Sequence, residues 1–313
     1  MFCVNNRIMS ISSNDEIYSF GKCEYGSHGH NKMKIEVPTL IKNTKNIKMI
    51  NCGIHHTIYL TYNGEVYSFG NNEYFQLGVK LQKDVKCTYI PQKVNIPLCS
   101  QISCGNDFTI CLGIDHLLYF FGNYKNILSN VEDFTGGFIL NDITINPNEP
   151  ILIPSIKDIS YIECGSHFCI CQTLDNKYIS FGFNHWGQLG KNFIGGFYGP
   201  SMNYVKFPSD IIDIKCGSLH SLLLTEGGNV YSFGNYEFGA LGLGYLDNHI
   251  GKPTLIQNIP EIKKIKCARF LSLCIDIDDK LWVFGLDEGE QLQIGTENKS
   301  NIPYLYSKLS NII

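Results

Sequence analysis

Several features that define other classes of protein are missing from this sequence of 313 residues. It has no run of about 18 apolar residues that would form a membrane-spanning helix, and Met1 to Arg7 contain no apolar core for a signal peptide. No run of Lys and Arg forms an electrostatic footprint for nucleic acid, and the formal net charge is −4. These absences argue against a membrane span, secretion and autonomous nucleic-acid binding, and they favour an intracellular protein of the cytoplasm or nucleus.

Patterns that carry catalysis or bind cofactors are also missing. There is no Gly-x-x-x-x-Gly-Lys phosphate loop and no Gly-x-Ser-x-Gly nucleophile elbow. The chain has 13 cysteines, but no Cys-x-x-Cys pair, and Cys169-Ile-Cys171 does not have a zinc spacing. His28-Gly-His30 has no acidic or thiolate partner nearby, so we expect both imidazoles to be solvated. The sequence predicts no catalytic residue, no cofactor and no metal site.

One pattern is repeated six times: a cysteine is followed, always 17 residues later, by a Phe-Gly pair. Successive cysteines are separated by 49, 52, 60, 52 and 51 residues, so the chain is one repeating unit used six times. The pairs are Cys3/Phe20, Cys52/Phe69, Cys104/Phe121, Cys164/Phe181, Cys216/Phe233 and Cys267/Phe284.

The 17-residue spacer predicts a β-hairpin. Eleven and twelve residues after each cysteine stands a pair of turn-forming residues, and the first of each pair is Asn, Asp or Gly. Residues of this kind tolerate positive φ, so we expect two-residue type I′ turns. The pairs are Asn14-Asp15, Asn63-Gly64, Asp115-His116, Asp175-Asn176, Gly227-Gly228 and Asp278-Asp279.

Each outgoing strand is rich in β-branched and aromatic residues and ends at the Phe-Gly pair. The glycine is expected where a side chain would clash. A proline precedes most of the later cysteines by 13 or 14 residues, at Pro38, Pro91, Pro150 and Pro253. Each repeat therefore offers three or four strands, which is the content of one propeller blade.

The repeat spacing is preserved if the chain end is joined to its beginning. Pro303 lies ten residues before Ile313, and Cys3 is the third residue. We therefore expect residues 1–313 to form one closed, all-β propeller domain of six repeats, with Leu309 to Ile313 pairing beside the first hairpin and covering exposed strand edges. We also expect a monomer.

Two sets of recurring residues indicate packing and not chemistry. Cys111, Cys171 and Cys274 share a repeat position with a tyrosine and a leucine, so their thiols are expected to be structural. Four histidines that follow Cys-Gly recur in several repeats, whereas an active site needs a single constellation. We expect hydrogen-bonded packing near the inner strands for His55, His56, His167 and His220.

The repeats resemble those of the regulator of chromosome condensation family. That family's repeat has Cys/Ser-Gly-x-x-His, a turn, a strand ending in Phe/Trp-Gly, and Gly-Gln-Leu-Gly. The sequence has Cys52-Gly-Ile-His-His56 with Gln76-Leu-Gly78, and Cys164-Gly-Ser-His167 with Gly187-Gln-Leu-Gly190. The resemblance implies a propeller, generally of seven blades, whereas six repeats are counted here.

Function is expected where the repeat is broken. The third repeat is the longest and has lost Gln-Leu-Gly, so its loop is either a partner contact or a tolerated insertion. The loop from Lys191 to Pro200, with aromatic residues among glycines, is either an interface anchor or a mobile surface loop. The candidate partner-binding residues in these two loops are Tyr124, Lys125, Asn126, Glu132, Asp133, Phe134, Phe197 and Tyr198.

The resemblance also implies a function. The founding activity of the family is guanine-nucleotide exchange on the small GTPase Ran, in which an aromatic-basic-acid stretch takes part. The matching stretch here is Tyr124-Lys125-Asn126, with an amide in place of the carboxylate; Glu132 and Asp133 are possible substitutes. We therefore favour a non-enzymatic interaction propeller that binds protein partners through its loops. The alternatives are an exchange factor for a Ran-type GTPase and membership of a larger assembly.

Overall fold

The computed structural model describes residues 2–4, 7–123, 149–198, 204–245, 247–288 and 299–306. Within these residues the secondary structure consists of β-strands joined by turns and loops, without a helix. The part of the chain that the structure describes therefore contains no helix that could cross a membrane.

Three sheets are formed by the first half of the chain, each from consecutive strands. The first contains β1 (Phe2–Val4), β2 (Arg7–Ile11), β3 (Ile17–Lys22) and β4 (Lys34–Leu40). The second contains β5 (Ile47–Cys52), β6 (His56–Thr61), β7 (Val66–Asn71) and β8 (Cys87–Lys93). The third contains β9 (Cys99–Cys104), β10 (Phe108–Gly113), β11 (Leu118–Gly122) and β12 (Ile151–Leu152).

The second half of the chain forms three more sheets in the same way. The fourth contains β13 (Ile159–Cys164), β14 (Phe168–Thr173), β15 (Tyr178–Phe183), β16 (Phe197–Tyr198) and β17 (Tyr204–Val205). The fifth contains β18 (Ile211–Cys216), β19 (His220–Thr225), β20 (Val230–Gly234) and β21 (Ile250–Leu255). The sixth contains β22 (Ile262–Cys267), β23 (Leu271–Asp276), β24 (Leu281–Leu286) and β25 (Lys299–Leu305).

Six antiparallel sheets, each taken from one sequence repeat, are the blades of a six-bladed β-propeller arrangement. The predicted all-β fold and the count of six blades are therefore confirmed. The chain divides into two compact units, one comprising residues 1–167, 171–179 and 199–202, the other residues 168–170, 180–198 and 203–313. The closing segment, Leu309 to Ile313, lies outside the described residues, and closure of residues 1–313 into one domain stays a prediction.

The hydrophobic core lies between consecutive sheets. In the first unit, side chains of the first and second sheets form one cluster and those of the second and third form another. In the second unit, the fifth and sixth sheets form a third cluster. Each of these clusters includes a phenylalanine from a Phe-Gly pair: Phe69, Phe121 and Phe284. Burying such a ring stabilises the fold by roughly 1.5–3 kcal/mol.

The predicted packing positions are confirmed. Tyr59, Cys111, Cys171, Leu223 and Cys274 share one position in the second strand of successive sheets, and all are buried. A position that accepts Cys, Tyr and Leu needs only an apolar side chain of suitable size. Burial raises the pKa of the Cys274 thiol to about 12, which keeps it protonated and unreactive.

The glycine after each strand-ending phenylalanine adopts the conformation that its prediction required. All six have positive φ, between 106° and 122°. A Cβ on Gly70 would lie 2.5 Å from the His55 carbonyl oxygen, and one on Gly122 would lie 2.5 Å from that of Asp107. Glycine is therefore needed both for its backbone angle and for the close approach of the neighbouring loop.

The predicted type I′ turns are wrong. Only the second residue of each pair has positive φ, at Asp15, Gly64, His116, Asn176, Gly228 and Asp279. In the second sheet the Gly64 amide donates to the Thr61 carbonyl, and the Thr61 amide donates to the Glu65 carbonyl. This is a type I turn followed by one residue in the left-handed region, which forms a bulge.

The recurrent prolines lie at the outer edges of the sheets. Pro38, Pro91, Pro253 and Pro303 are within the outermost strands β4, β8, β21 and β25, and Pro150 directly precedes β12. Each of the four longer strands also has a register shift against its neighbour. Proline and bulges interrupt the row of backbone donors on an edge strand and so shorten the stretch that is able to pair with another chain.

Candidate functional site

In every sheet two kinds of connection emerge at the same end, because the strands alternate in direction. One is the short loop between the first and second strands, which begins with Cys-Gly in most repeats. The other is the longer segment after Phe-Gly, between the third and fourth strands. We call this end the loop face and the end with the hairpin turns the turn face.

The loop after Phe-Gly is fixed by two buried hydroxyl groups. In the second sheet Ser68 Oγ donates to the Leu77 carbonyl at 2.6 Å, and Thr109 Oγ1 of the third sheet donates to the Gln76 carbonyl at 3.3 Å. Equivalent pairs of hydrogen bonds fix the loops of the first, fourth and fifth sheets. The donors there are Ser19 and Thr57, Ser180 and Ser221, and Ser232 and Ser272.

The third repeat departs from this arrangement at described positions. Phe120 of the third sheet takes the position that Ser68 has in the second sheet. Cys169 of the fourth sheet takes the position that Thr109 has in the third. Both side chains are buried, and Phe120 has no hydroxyl to donate. The third repeat has also lost the Gln-Leu-Gly sequence. The loop sequence and the residues at the positions that fix the loop in other repeats have therefore changed together.

Histidines four residues after the repeat cysteine pack inside the protein. His56 and His220 are fully buried, and their Nε2 atoms lie 3.0 and 2.9 Å from the hydroxyls of Thr109 and Ser272 on the next sheet. Burial lowers the pKa of His56 to about 3 and that of His220 to about 4, so both are neutral at physiological pH. The predicted packing role is confirmed for these two residues.

Residues three positions after the repeat cysteine face the other way and form a polar cluster on the loop face of the first unit. His55, Asp107 and His167 occupy this position in the second, third and fourth repeats. The Tyr25 ring meets His55 edge to face, with 5.1 Å between ring centroids. Asn106 Nδ2 lies 3.3 Å from His167 Nε2. His167 is therefore hydrogen-bonded, as predicted, but both His55 and His167 are only half-buried and belong to this surface cluster.

Asp107 is the central group of this cluster. Burial raises the pKa of its carboxyl, and the two histidines, His167 more than His55, oppose that rise. Burial lowers the pKa of His167, and the Asp107 charge opposes it. Within the described residues the Asp107 carboxylate has neither a hydrogen bond nor an ion pair. A half-buried carboxylate in this state gains stability from any cationic or hydrogen-bonding group that approaches.

The long loop of the third repeat begins beside Asp107. The Asn123 amide donates to the Asp107 carbonyl at 2.8 Å, and Asn123 is the last described residue before that loop. The candidates Tyr124, Lys125, Asn126, Glu132, Asp133 and Phe134 lie outside the described residues, so the structure does not test them. The described cluster is therefore next to the start of the loop that the sequence singles out.

The second unit holds the remaining candidates, Phe197 and Tyr198. They form β16, in which Tyr198 pairs with Gly182 and Phe197 with Phe183. The Tyr198 ring contacts the Phe193 ring at 5.2 Å between centroids, and Lys191 Nζ lies 5.5 Å from its centre. Burial lowers the pKa of Lys191 and raises that of Tyr198.

This second group is a surface feature of mixed character. Phe193 and Ile194 are 46% and 44% exposed, and the Asn192 amide fixes their loop by donating to the Gly251 carbonyl at 2.7 Å. An apolar pair beside a cation on a fixed loop is suited to contact with another protein. In the described part of the loop, residues 191–198, these contacts are made within the unit.

Sequence reasoning missed two sets of residues on the loop face. Asp107, Asn106 and Tyr25 were not singled out, because the histidines after Cys-Gly were treated as one group. Separating the third from the fourth position after the cysteine would have revealed Asp107. The second missed set is a series of adjacent aromatic and imidazole rings in the second unit, formed by Phe183, His185, Trp186, Tyr236 and His249.

The described residues contain no group of three His, Cys, Asp or Glu side chains arranged to hold a metal ion. His28, expected to be solvated, is fully buried instead. The described part of the loop face of the first unit is therefore a polar, partly desolvated surface built around Asp107, His55 and His167. The six sheets and this surface define the class of the protein as a β-propeller with a polar cluster on its loop face.

Comparison with known proteins finds repeats of one family in this chain. Two models of the regulator of chromosome condensation (RCC1) repeat match the chain, one at residues 63–112 and 227–275 and the other at residues 47–76 and 211–240. The regulator of chromosome condensation of Xenopus laevis is 25% identical over 312 residues, which cover 93% of this chain and 72% of that protein. The ultraviolet-B receptor UVR8 of Arabidopsis thaliana is 27% identical over 307 residues, covering 94% and 66%.

The fold agrees with this assignment. The structure of Prp20p from Saccharomyces cerevisiae superimposes with a TM-score of 0.81 at 20% identity, covering 97% of this chain and 75% of that chain. The chain contains repeats of the regulator of chromosome condensation family at the matched residues and has the propeller fold of the proteins it is similar to.

Proposed function

We propose that this protein is a non-catalytic interaction propeller that binds a protein partner through its loop face. The observation that carries the proposal is the Asp107 carboxylate, half-buried between His55 and His167 at the start of the third-repeat loop. Burying a carboxylate that has neither a hydrogen bond nor an ion pair within the described residues costs stability. We infer that a cationic or hydrogen-bonding group of the partner binds the Asp107 carboxylate and offsets this cost.

Relatives support a role in protein binding. The family includes regulators of other proteins, among them the human X-linked retinitis pigmentosa GTPase regulator, which is 31% identical over 144 residues. Prp20p was studied for its binding to Gsp1p and histones and has been crystallised bound to Kap60. We infer that this chain also acts through a protein partner in the cytoplasm or nucleus.

The proposal is tested by affinity capture with quantitative mass spectrometry, using wild type, Asp107→Asn and Glu226→Ala. Glu226 is exposed and lies on the turn face of the fifth sheet, so it serves as a matched control. We expect at least one partner to be lost from Asp107→Asn and retained by Glu226→Ala. Because Asp107→Asn removes a desolvated charge, its thermal stability is expected to equal or exceed that of the wild type. A set of captured proteins that is the same for all three chains would contradict the proposal.

A second candidate function is guanine-nucleotide exchange on a Ran-type GTPase. The loop-face carboxylate favours it, since Asn126 replaces the acidic residue that the family resemblance leads one to expect in the third-repeat loop. Asp107 is a negative charge close to the start of that loop and is able to take the place of the missing one. Exchange of this kind needs a group that displaces nucleotide and not a covalent catalyst.

Exchange is tested by release of labelled GDP from a Ran-type GTPase. We expect wild type to accelerate release and Asp107→Asn to lose the effect, with Glu226→Ala unchanged. The variants Glu132→Ala/Asp133→Ala and Asn126→Asp test whether acidic residues of the third-repeat loop contribute to exchange. If the GTPase binds without faster release of GDP, exchange activity is excluded and the interaction propeller is the function that stands.

A further inference from the structure

The outer edge of the first sheet has an unusual distribution of charge. Residues 21–50 contain six lysines and two glutamates, although the whole chain has a net charge of −4. Three of these lysines lie close together along the chain and in the sheet: Lys22 ends β3, Lys34 begins β4, and Lys32 precedes it. All three are exposed.

Two of the lysines are placed directly opposite each other. Lys22 pairs with Lys34 in the register of β3 and β4. Like charges at directly opposed positions destabilise an antiparallel pair. The equivalent pairs are Asn71 with Cys87 in the second sheet and Leu286 with Lys299 in the sixth, so neither repeats this arrangement.

Local carboxylates neutralise little of this charge. Lys34 Nζ lies 2.9 Å from Glu36 Oε1, but both side chains are more than half exposed, and such pairs contribute little. Neither Lys22 nor Lys32 has an ion pair within the described residues. The corresponding edge of the second sheet differs, because Lys86 and Lys93 pair with Glu73 and Glu65 at 2.9 and 2.5 Å.

A groove of about 560 Å³ runs along this edge. Residues of β4 line it together with the segment that leads into the strand: His30, Asn31, Lys32, Lys34, Ile35, Glu36, Val37 and Thr39. His30 is fixed at its inner side, with Nε2 3.1 Å from Ser19 Oγ. β4 is the outermost strand of its sheet, and no described strand pairs with its free edge.

The edge also carries apolar side chains. Met33 is 70% exposed and Val37 is 66% exposed. Pro38 has no amide hydrogen, and the register shift of β4 lies between Ile35 and Thr39. Pairing with an added strand is therefore confined to the part of β4 before Pro38, Lys34 to Val37, and is regular at Lys34 and Ile35. Unpaired backbone groups, exposed apolar side chains and uncompensated lysines on one edge fit an extended chain of alternating acidic and apolar residues.

We propose that the free edge of β4 is a docking site for an extended acidic segment of a protein partner, which adds to the first sheet as a further strand. The backbone of Lys34 to Val37 pairs with the segment, and Lys22, Lys32 and Lys34 bind its carboxylates. Nucleic acid is a poorer occupant, because it would leave Met33, Val37 and the strand edge without partners. The site is distinct from the loop-face cluster and does not depend on it.

The probe is a fluorescein-labelled peptide of alternating Glu and Val, with a Lys and Val peptide as its counterpart. Binding is measured by fluorescence anisotropy at low and high salt. We expect wild type to bind the acidic peptide only, and Lys22→Gln/Lys32→Gln/Lys34→Gln to bind about tenfold more weakly. The matched variant Lys86→Gln/Lys93→Gln, on the equivalent edge of the second sheet, is expected to change affinity less than about twofold.

Hydrogen exchange of the native protein tests the mode of binding. The acidic peptide is expected to slow exchange of amides in Lys34 to Val37 and to leave β8 unchanged. Equal affinity for wild type and the triple variant would overturn the proposal. So would binding that slows no amide of β4, or a short DNA duplex that displaces the peptide and binds more tightly, since either result would indicate charge attraction alone.

Discussion

His28 is a buried side chain that differs from the residue type found at its position in other repeats. In the loops after Phe-Gly, Leu77, Leu189 and Leu241 occupy one position and are buried, and in the first repeat His28 takes it. Among the described residues neither ring nitrogen of His28 has a hydrogen bond of proper geometry, although the Lys32 backbone is near enough to oppose the fall in its pKa. Burial, helped by the charges of His30 and Arg7, lowers the pKa of His28 to about 4.

His28→Leu is expected to stabilise the protein by about 1 kcal/mol at pH 7, because it replaces an unsatisfied buried imidazole with the side chain of the other repeats. The free energy of unfolding is measured by urea denaturation. Leu77→His is the matched control and is expected to destabilise by about 1–3 kcal/mol. A destabilised His28→Leu would show that the imidazole has a favourable partner in the folded protein.

Stability is also expected to depend on pH through the buried histidines. The pKa values of His28, His56 and His220 lie at about 4, 3 and 4 in the folded protein and near 6.5 in the unfolded chain. Between these pH values the unfolded chain binds more protons than the folded protein. The contribution of these histidines to the free energy of unfolding is therefore complete above about pH 6.5 and falls as pH decreases toward 4. Urea midpoints measured across this pH range check the trend, and the midpoint of His28→Leu should decrease less steeply than that of the wild type. An unchanged midpoint between pH 7 and 5 would contradict it.

The hairpin is the element that sequence predicts best and also where it fails in detail. The constant distance from Cys to Phe-Gly predicted the strands, and the glycines of Phe-Gly have the expected positive φ. The turn type was wrong because Asn-Gly suits both a two-residue type I′ turn and a type I turn with a bulge. The bulge adds one residue to one strand, and residue patterns alone do not show which strand receives it.

Two substitutions in one turn distinguish these conformations. Gly64 has a φ of 83°, and a Cβ there would lie 3.1 Å from the Cys99 carbonyl oxygen. Gly64→Ala is therefore expected to cost about 1–2 kcal/mol, whereas Asn63→Ala, at a residue without positive φ, should cost less than about 0.5 kcal/mol. Thermal unfolding of both variants provides the measurement. Equal losses would indicate that both residues need positive φ, as in a type I′ turn.

The candidate site was less accessible to sequence reasoning than the fold, for a physical reason. Neighbouring residues at the start of a strand point to opposite sides, so His56 packs inside while His55 faces solvent. Both follow Cys-Gly and look alike in the sequence. The pKa of Asp107 depends on its own burial and on opposing charges from His167 and His55 of the two neighbouring repeats, which only the fold brings together.

At the scale of the whole molecule, the cysteines report on how completely the sheets are packed together. Cys87, in the outermost strand of the second sheet, is exposed, whereas the other described cysteine side chains are buried or half-buried. Burial raises the pKa of the Cys104 and Cys111 thiols well above its usual range. A thiol in this state reacts only when the surrounding structure opens, so its rate of modification measures that opening.

Maleimide labelling of the native protein at pH 8, followed by mass spectrometry of peptides, is therefore expected to modify Cys87 first. Half-buried Cys216 and Cys267 should follow, and Cys104, Cys111 and Cys274 should react last, at the rate at which the sheets separate. Cys87→Ser should remove the fast phase and leave the slow one unchanged, and His28→Leu should slow the last phase if it stabilises the packed state. Rapid labelling of Cys104 or Cys111 in the native protein would mean that the sheets of the first unit separate readily, in conflict with the close packing from which the thiol pKa shifts arise.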